Sequence, residues 1–165
     1  MNIEQKELIS LREPYQILVF PYLKTAEEKV RYCIFKRKDL EVWQGIAGGG
    51  ENGESPIKAA KRETFEEAGI AIKNKFTRLS SISSIPVEAI SGFIWGKDTL
   101  VIPEYSFGVE VHNMNIYLED EHTTYEWLNY EEAVNKLEWD SNKTALWELN
   151  YRLTNNLLKN IKNVI

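Results

Sequence analysis

Cysteine is nearly missing from this chain. Cys33 is the only one among 165 residues, which excludes an intrachain disulfide and a cysteine metal site. Flanked by Tyr32 and Ile34 in a strand-like run, it reads as a buried thiol packed as a small hydrophobe. Such cysteine use fits a reducing, cytoplasmic setting. Long apolar runs are missing too, and the longest is far too short to cross a bilayer. Met1 to Arg12 alternates charged and apolar residues and lacks an apolar core of signal-peptide length, so neither secretion nor a membrane partner is expected. Positive charge is in deficit. A formal net charge of −5 weighs against non-specific binding to a nucleic-acid backbone. It does not exclude a polyphosphate, because a bound divalent cation supplies positive charge locally. Repeats, low-complexity tracts and linkers are also lacking. What remains is an ordinary globular composition, 43% hydrophobic and 27% charged, at a length that suits a single domain over residues 1–165.

Apolar patterning then places the elements. Tyr15 to Tyr22 reads as a strand, and Lys29 to Arg37 as its neighbour, with Val30, Tyr32 and Ile34 on one face. Lys24 to Glu28 is a polar turn between them. Glu41 to Gly50 ends in three glycines and reads as a loop that bends sharply or approaches something closely. Pro56 to Ala68 is helical, with Ser55 as N-cap, Pro56 at the first position and Gly69 as the stop. Ile57, Ala60, Thr64 and Ala68 form its core stripe, with the Thr64 hydroxyl satisfied on the preceding turn. Further strands are expected at Phe76 to Ser80, Gly92 to Trp95, Tyr105 to Val111 and Thr124 to Leu128. Two helices follow, Tyr130 to Leu137 and Asn142 to Ile161. The second presents Leu146, Leu149, Leu153 and Leu157 on one face. Strands with helices on both sides of the sheet give an α/β layered domain.

Opposite the core stripe of the first helix lie Glu63, Glu66 and Glu67, at i, i+3 and i+4. They fall within an arc of roughly 100°. Like charges at this spacing cost a few tenths of a kcal/mol per pair. A solvated face would tolerate that; an Mg²⁺ ion held by carboxylates would relieve it. Ala59, one turn earlier, would leave room for metal and water.

The glutamates sit inside a longer pattern: Gly48, five residues, Glu54, seven residues, then Arg62-Glu63-Thr64-Phe65-Glu66-Glu67-Ala68-Gly69-Ile70. This resembles the Nudix box, the signature of the Nudix hydrolase family, with Thr64 where an aliphatic residue is usual. The resemblance implies a Nudix α/β/α sandwich with a mixed sheet. It implies Mg²⁺ or Mn²⁺ held by Glu63, Glu66 and Glu67 and faced by the Gly48 carbonyl. An Arg62–Glu54 ion pair would orient the glutamates; as a plain surface pair it would contribute little. The implied reaction is attack of water on phosphorus with a phosphate leaving, promoted by metal.

Outside the box, Glu119-Asp120-Glu121-His122 reads either as a solvated loop or as the source of a further carboxylate. Trp43-Gln44-Gly45, Glu121-His122 with Glu126-Trp127-Leu128, and Trp139 to Ala145 resemble segments of the dihydroneopterin triphosphate pyrophosphohydrolase branch of the family. By that resemblance Glu121 is the candidate metal-binding or water-activating group, and Trp43, Gln44 and Asn142 are candidate substrate contacts. Trp43 would stack on a heterocycle or pack in the core; Asn142 would touch ligand or cap a helix. The implied partner is a small nucleotide or pterin polyphosphate. ADP-ribose and dinucleoside polyphosphates are the rival substrates, and a non-catalytic nucleotide-sensing domain is the rival of another class.

Overall fold

The computed structural model describes residues 2–4 and 11–158. Its centre is a mixed seven-stranded sheet. Strand β1 (Arg12–Lys24) is its axis. Along one edge β1 pairs in parallel with β6 (Val101–Glu110), which pairs antiparallel with β5 (Phe76–Pro86). Along the other edge it pairs antiparallel with β4 (Ile46–Glu51) over its first part and with β2 (Val30–Arg37) at its end. β2 carries the short β3 (Trp43–Gln44) and β7 (His122–Leu128).

The period-2 alternation of β1 divides the core. Tyr15, Ile17 and Val19 pack with Cys33, Phe35, Phe107 and Val109 beneath helix α1 (Pro56–Ala68). Leu18, Phe20 and Tyr22 pack with Tyr32 and Ile34 on the other face, beneath α2 (Tyr130–Lys136) and α3 (Asp140–Thr154). The result is the expected α/β/α sandwich. Cys33 is fully buried, and burial pushes its thiol well above the ordinary value. Among the described residues no helix is long and apolar enough to cross a membrane.

Several elements differ from the sequence reading. Gly48 to Gly50 belong to a strand rather than a loop. The backbone of Gly48 and Gly49 pairs with β1, and the missing side chains leave space that Glu63, Arg12 and Tyr15 fill from outside the strand. Gly92 to Trp95 is not a strand. The Val87 carbonyl accepts the amides of Ile90, Ser91 and Gly92 in tight turns, which removes those groups from any ladder. α3 starts at Asp140 with Trp139 at the cap position, so Asn142 lies inside the first turn and is not the cap. α3 ends at Thr154, and Leu157 lies beyond it, partly exposed. The expected continuation reaches Ile161, and residues 159–165 lie outside the described residues.

α1 has the expected bounds. Gly69 closes it at φ 68°, donating its N–H to Phe65 O. Ser55 occupies the cap position without a side-chain cap bond. Thr64 Oγ1 is buried with no hydrogen-bond partner among the described residues, so its back-bond to the preceding turn is not made. Ala59 is fully buried in the core rather than lining the glutamate face. On the opposite layer, a register shift between Arg78 and Ile82 interrupts the β5–β6 ladder. Glu148 of α3 takes up the freed amides of Ser80 and Ser81, at 2.7 Å each. Burial acts to raise the Glu148 pKa, but these bonds and Arg152 prevail and lower it.

Candidate active site

The site is organised by Arg62, at mid-helix in α1. Its Nε and Nη2 donate to the two oxygens of Glu54, both at 3.0 Å. Nη2 also donates to the Gly49 carbonyl at 2.9 Å, and Nη1 donates to Glu63 at 2.9 Å and to Glu66 at 3.2 Å. One guanidinium thereby ties the helix to β4 and to the turn after it. Glu54, hydrogen-bonded above all, holds Arg62 firmly protonated. Burial acts to raise Glu54, but Arg62 outweighs it and lowers the carboxyl. Tyr15 anchors the same turn by donating to Glu54 O at 2.7 Å, and burial pushes its phenol up to about 12.

The three glutamates differ sharply in depth. The Glu66 side chain is 54% exposed, Glu63 is 15% exposed and Glu67 is 6% exposed. Glu67 Oε2 is buried without a hydrogen-bond partner among the described residues. Burial, then Glu63 and Glu121, push the Glu67 carboxyl up to about 9. Burial likewise raises Glu63, with Arg62 opposing. His122 Nδ1 lies 3.8 Å from Glu67 Oε2. Burial and then Arg37 lower the imidazole pKa, while the carboxyl is driven toward its protonated form. Both shifts act against an ion pair at this contact.

The segment before β7 covers the end of α1. Tyr117 N donates to Ala68 O at 3.0 Å, and Lys38 N donates to Glu121 O at 3.0 Å. This places Glu121 beside Glu63 and Glu67, where two clefts meet. The larger, about 570 Å³, runs between Glu66, Phe65, Tyr117 and residues Glu119 to Glu121. The smaller, about 320 Å³, runs between β4, Arg12 and Arg62. Glu63, Glu67 and Glu121 line both.

This donor set suits a hard divalent cation: carboxylate oxygens, one of them unpartnered, that repel one another in a partly dry site. Among the described residues no three Asp, Glu, His or Cys side chains already form a ligand set. Arg62 occupies one oxygen each of Glu63 and Glu66, and a carboxylate offers a second oxygen to a cation.

Trp43, Gln44 and Asn142 lie outside both clefts. Trp43 packs with the α2/α3 layer, with the Lys136 ammonium 4.9 Å from its ring centroid. Gln44 Oε1 accepts from Trp139 Nε1 at 3.0 Å, and Asn142 Oδ1 accepts from Gly45 N at 2.8 Å. These bonds fasten β3 and the start of β4 to α3. The sequence reading did not single out Arg12, Phe65 or Tyr117. No periodicity marks them, and their place in the clefts depends on chain segments far apart in sequence.

A family model for the NUDIX domain matches residues 24–147. The chain belongs to the Nudix family of hydrolases. Dihydroneopterin triphosphate diphosphatase of Haemophilus influenzae is 25% identical to this Nudix protein over 142 residues, covering 84% of this chain and 89% of the relative. A crystal structure of a protein from Listeria monocytogenes, assigned as a Nudix hydrolase, superposes with a TM-score of 0.80 at 40% identity, covering 88% and 98% of the two chains. The Escherichia coli dihydroneopterin triphosphate pyrophosphohydrolase superposes with a TM-score of 0.70 at 24% identity, covering 85% and 98%. At that identity the likeness is one of fold. The Nudix match contains the whole Gly48–Ile70 segment around which both clefts are built.

Proposed function

We propose that this Nudix hydrolase is a Mg²⁺- or Mn²⁺-dependent pyrophosphohydrolase, one domain throughout, that cleaves a nucleoside or pterin triphosphate between the α and β phosphates. Water adds to phosphorus, the phosphoanhydride bond breaks, and a monophosphate and pyrophosphate leave. The observation that carries this reading is Glu67: a buried carboxyl with an unpartnered oxygen, flanked by Glu63 and Glu121 where two clefts join. Glu63, Glu66 and Glu67, with the Gly48 carbonyl, would hold the cation. When bound, it polarises phosphoryl oxygens and acidifies the attacking water. Arg62 and Glu54 fix the orientation of the glutamates, and Glu121 accepts the proton of the water.

The triphosphate choice is supported by the likeness to the Haemophilus influenzae diphosphatase and by two exposed aromatics on the larger cleft. Phe65 and Tyr117 are 56% and 72% exposed, and their faces are available to a flat heterocycle. Trp43 is already engaged by Lys136 and the α2/α3 layer. Trp43, Gln44 and Asn142 then contribute to substrate binding by holding β3 and β4 in place.

The test is to incubate the protein with Mg²⁺ and dihydroneopterin triphosphate, dNTPs, ADP-ribose or diadenosine tetraphosphate, and to measure pyrophosphate and phosphate release. A triphosphate is expected to yield pyrophosphate. Glu67→Gln should lower kcat by more than the roughly 10–100-fold typical of losing an outer-shell partner. Equal turnover by Glu67→Gln, or no turnover of any substrate by the wild type, overturns the reading. An unchanged kcat in Glu121→Gln removes Glu121 as the proton acceptor.

A further inference from the structure

The geometry points to Arg12 as the residue that grips the substrate's phosphate chain in the smaller cleft, and to Ser91 and Trp95 as its positioning residues. This rests on reading the glutamate cluster as a phosphoanhydride-cleaving site. Arg12 opens β1 and pairs in register with Glu51 of β4. Its guanidinium lies over Gly49, where a Cβ would sit 2.5 Å from Nη2 and 2.8 Å from Nε. The cleft it lines also contains Arg62, Glu63, Glu67 and Glu121. Arg12 and the carboxylates therefore line one cleft from the two sides of the glycine strand.

The side chain is held but not neutralised. Nη1 donates to Ser91 Oγ at 2.6 Å, and Cζ lies 5.8 Å from the Trp95 ring centroid. Trp95 Nε1 donates back to Arg12 O at 3.0 Å, so one residue clamps both ends of the arginine. Among the described residues Arg12 forms no ion pair, and only one of its five N–H donors is used by a side chain or carbonyl. Arg62, on the same cleft, is the opposite case: its donors are committed to Glu54, Glu63, Glu66 and Gly49. A half-buried guanidinium with open donors, bonded to no carboxylate among the described residues, suits a bidentate oxyanion such as a phosphate. Ser91 and Trp95 fix its direction in advance, which reduces the ordering cost on binding.

The probe is inorganic pyrophosphate, titrated calorimetrically in Mg²⁺ buffer into wild type, Arg12→Ala, Arg12→Lys and Gly49→Ala. Losing a charge-assisted contact of this kind should raise the Kd about tenfold or more in Arg12→Ala. Arg12→Lys should recover part of this, because it restores the charge without the fork. Gly49→Ala should weaken binding while keeping Arg12, because its methyl displaces the guanidinium; it also serves if Arg12→Ala fails to fold. In turnover, the loss should fall on KM more than on kcat. Ser91→Ala should give a smaller loss of the same kind. A pyrophosphate Kd within about twofold of wild type in both Arg12→Ala and Gly49→Ala, less than one charged contact accounts for, overturns the proposal, as does a wild type that does not bind pyrophosphate. If no phosphoanhydride is hydrolysed but Arg12-dependent pyrophosphate binding persists, the catalytic reading fails and this one stands.

Discussion

Glu67 carries an oxygen that no donor among the described residues reaches, and this has a consequence for stability. Burial first, then Glu63 and Glu121, raise its pKa from the ordinary 4.5 to about 9 in the metal-free protein. The folded state therefore prefers the protonated carboxyl. Its contribution to stability is fully present below the unfolded pKa and is lost as pH rises toward the folded value. In EDTA, Tm should fall between about pH 5 and pH 9, and Glu67→Gln, which stays neutral, should show a shallower decline. Added Mg²⁺ should flatten the wild-type curve, since the cation compensates the carboxylate. Parallel Tm curves for wild type and Glu67→Gln in EDTA would refute this assignment. The sequence spacing made the shared face of Glu63, Glu66 and Glu67 legible, because helical geometry fixes relative angle. Depth was not legible. Glu66 and Glu67 are adjacent, yet only Glu67 is covered, because Tyr117 to His122 lies over one side of the helix end. Arg12 was invisible for the same reason: what it touches is decided by strand pairing, not by its neighbours in sequence.

The bounds of α1, Pro56 to Ala68, are legible in the sequence because its signals are local. Pro56 suits the first turn, and Gly69 adopts the left-handed conformation that ends it. β4 is not legible in the sequence because its glycines carry no alternation. Their role is to let the helix and its carboxylates approach the sheet, with Glu63 filling the space beside Gly48. Arg62 couples the two elements through Glu54 and the Gly49 carbonyl. Arg62→Lys keeps the charge but cannot make the paired contacts with Glu54. It should cost about 1.5–3 kcal/mol in urea-measured stability, the range for charged hydrogen bonds. It should also lower kcat by about 10–100-fold, as expected for a residue that orients ligands. A kcat within twofold of wild type would show that β4 and α1 hold the glutamates without this bond.

Across the whole molecule, the sheet separates two tasks. One face carries α1, the carboxylates and both clefts; the other packs α2 and α3 on Leu18, Phe20, Tyr22 and Ile34. The second face was legible as a stripe of leucines, since Leu146, Leu149 and Leu153 recur at helical spacing and are buried. The glutamate pattern marked the first face, but not which segments would wall its clefts. Leu149 is fully buried, so Leu149→Ala should destabilise by about 2–5 kcal/mol while leaving kcat/KM at 25 °C unchanged. Because Leu149 and Glu67 lie on opposite faces of the sheet, their effects on stability should add within about 0.5 kcal/mol in the double variant. The measurement is urea denaturation of wild type, both single variants and the double variant at one pH in EDTA. Additivity would mean that the α3 layer can be strengthened or weakened without altering the glutamate face. A coupling above about 1 kcal/mol, beyond what independent sites show, would mean that the sheet transmits packing strain from α3 to the carboxylates, and that the two tasks are not separate.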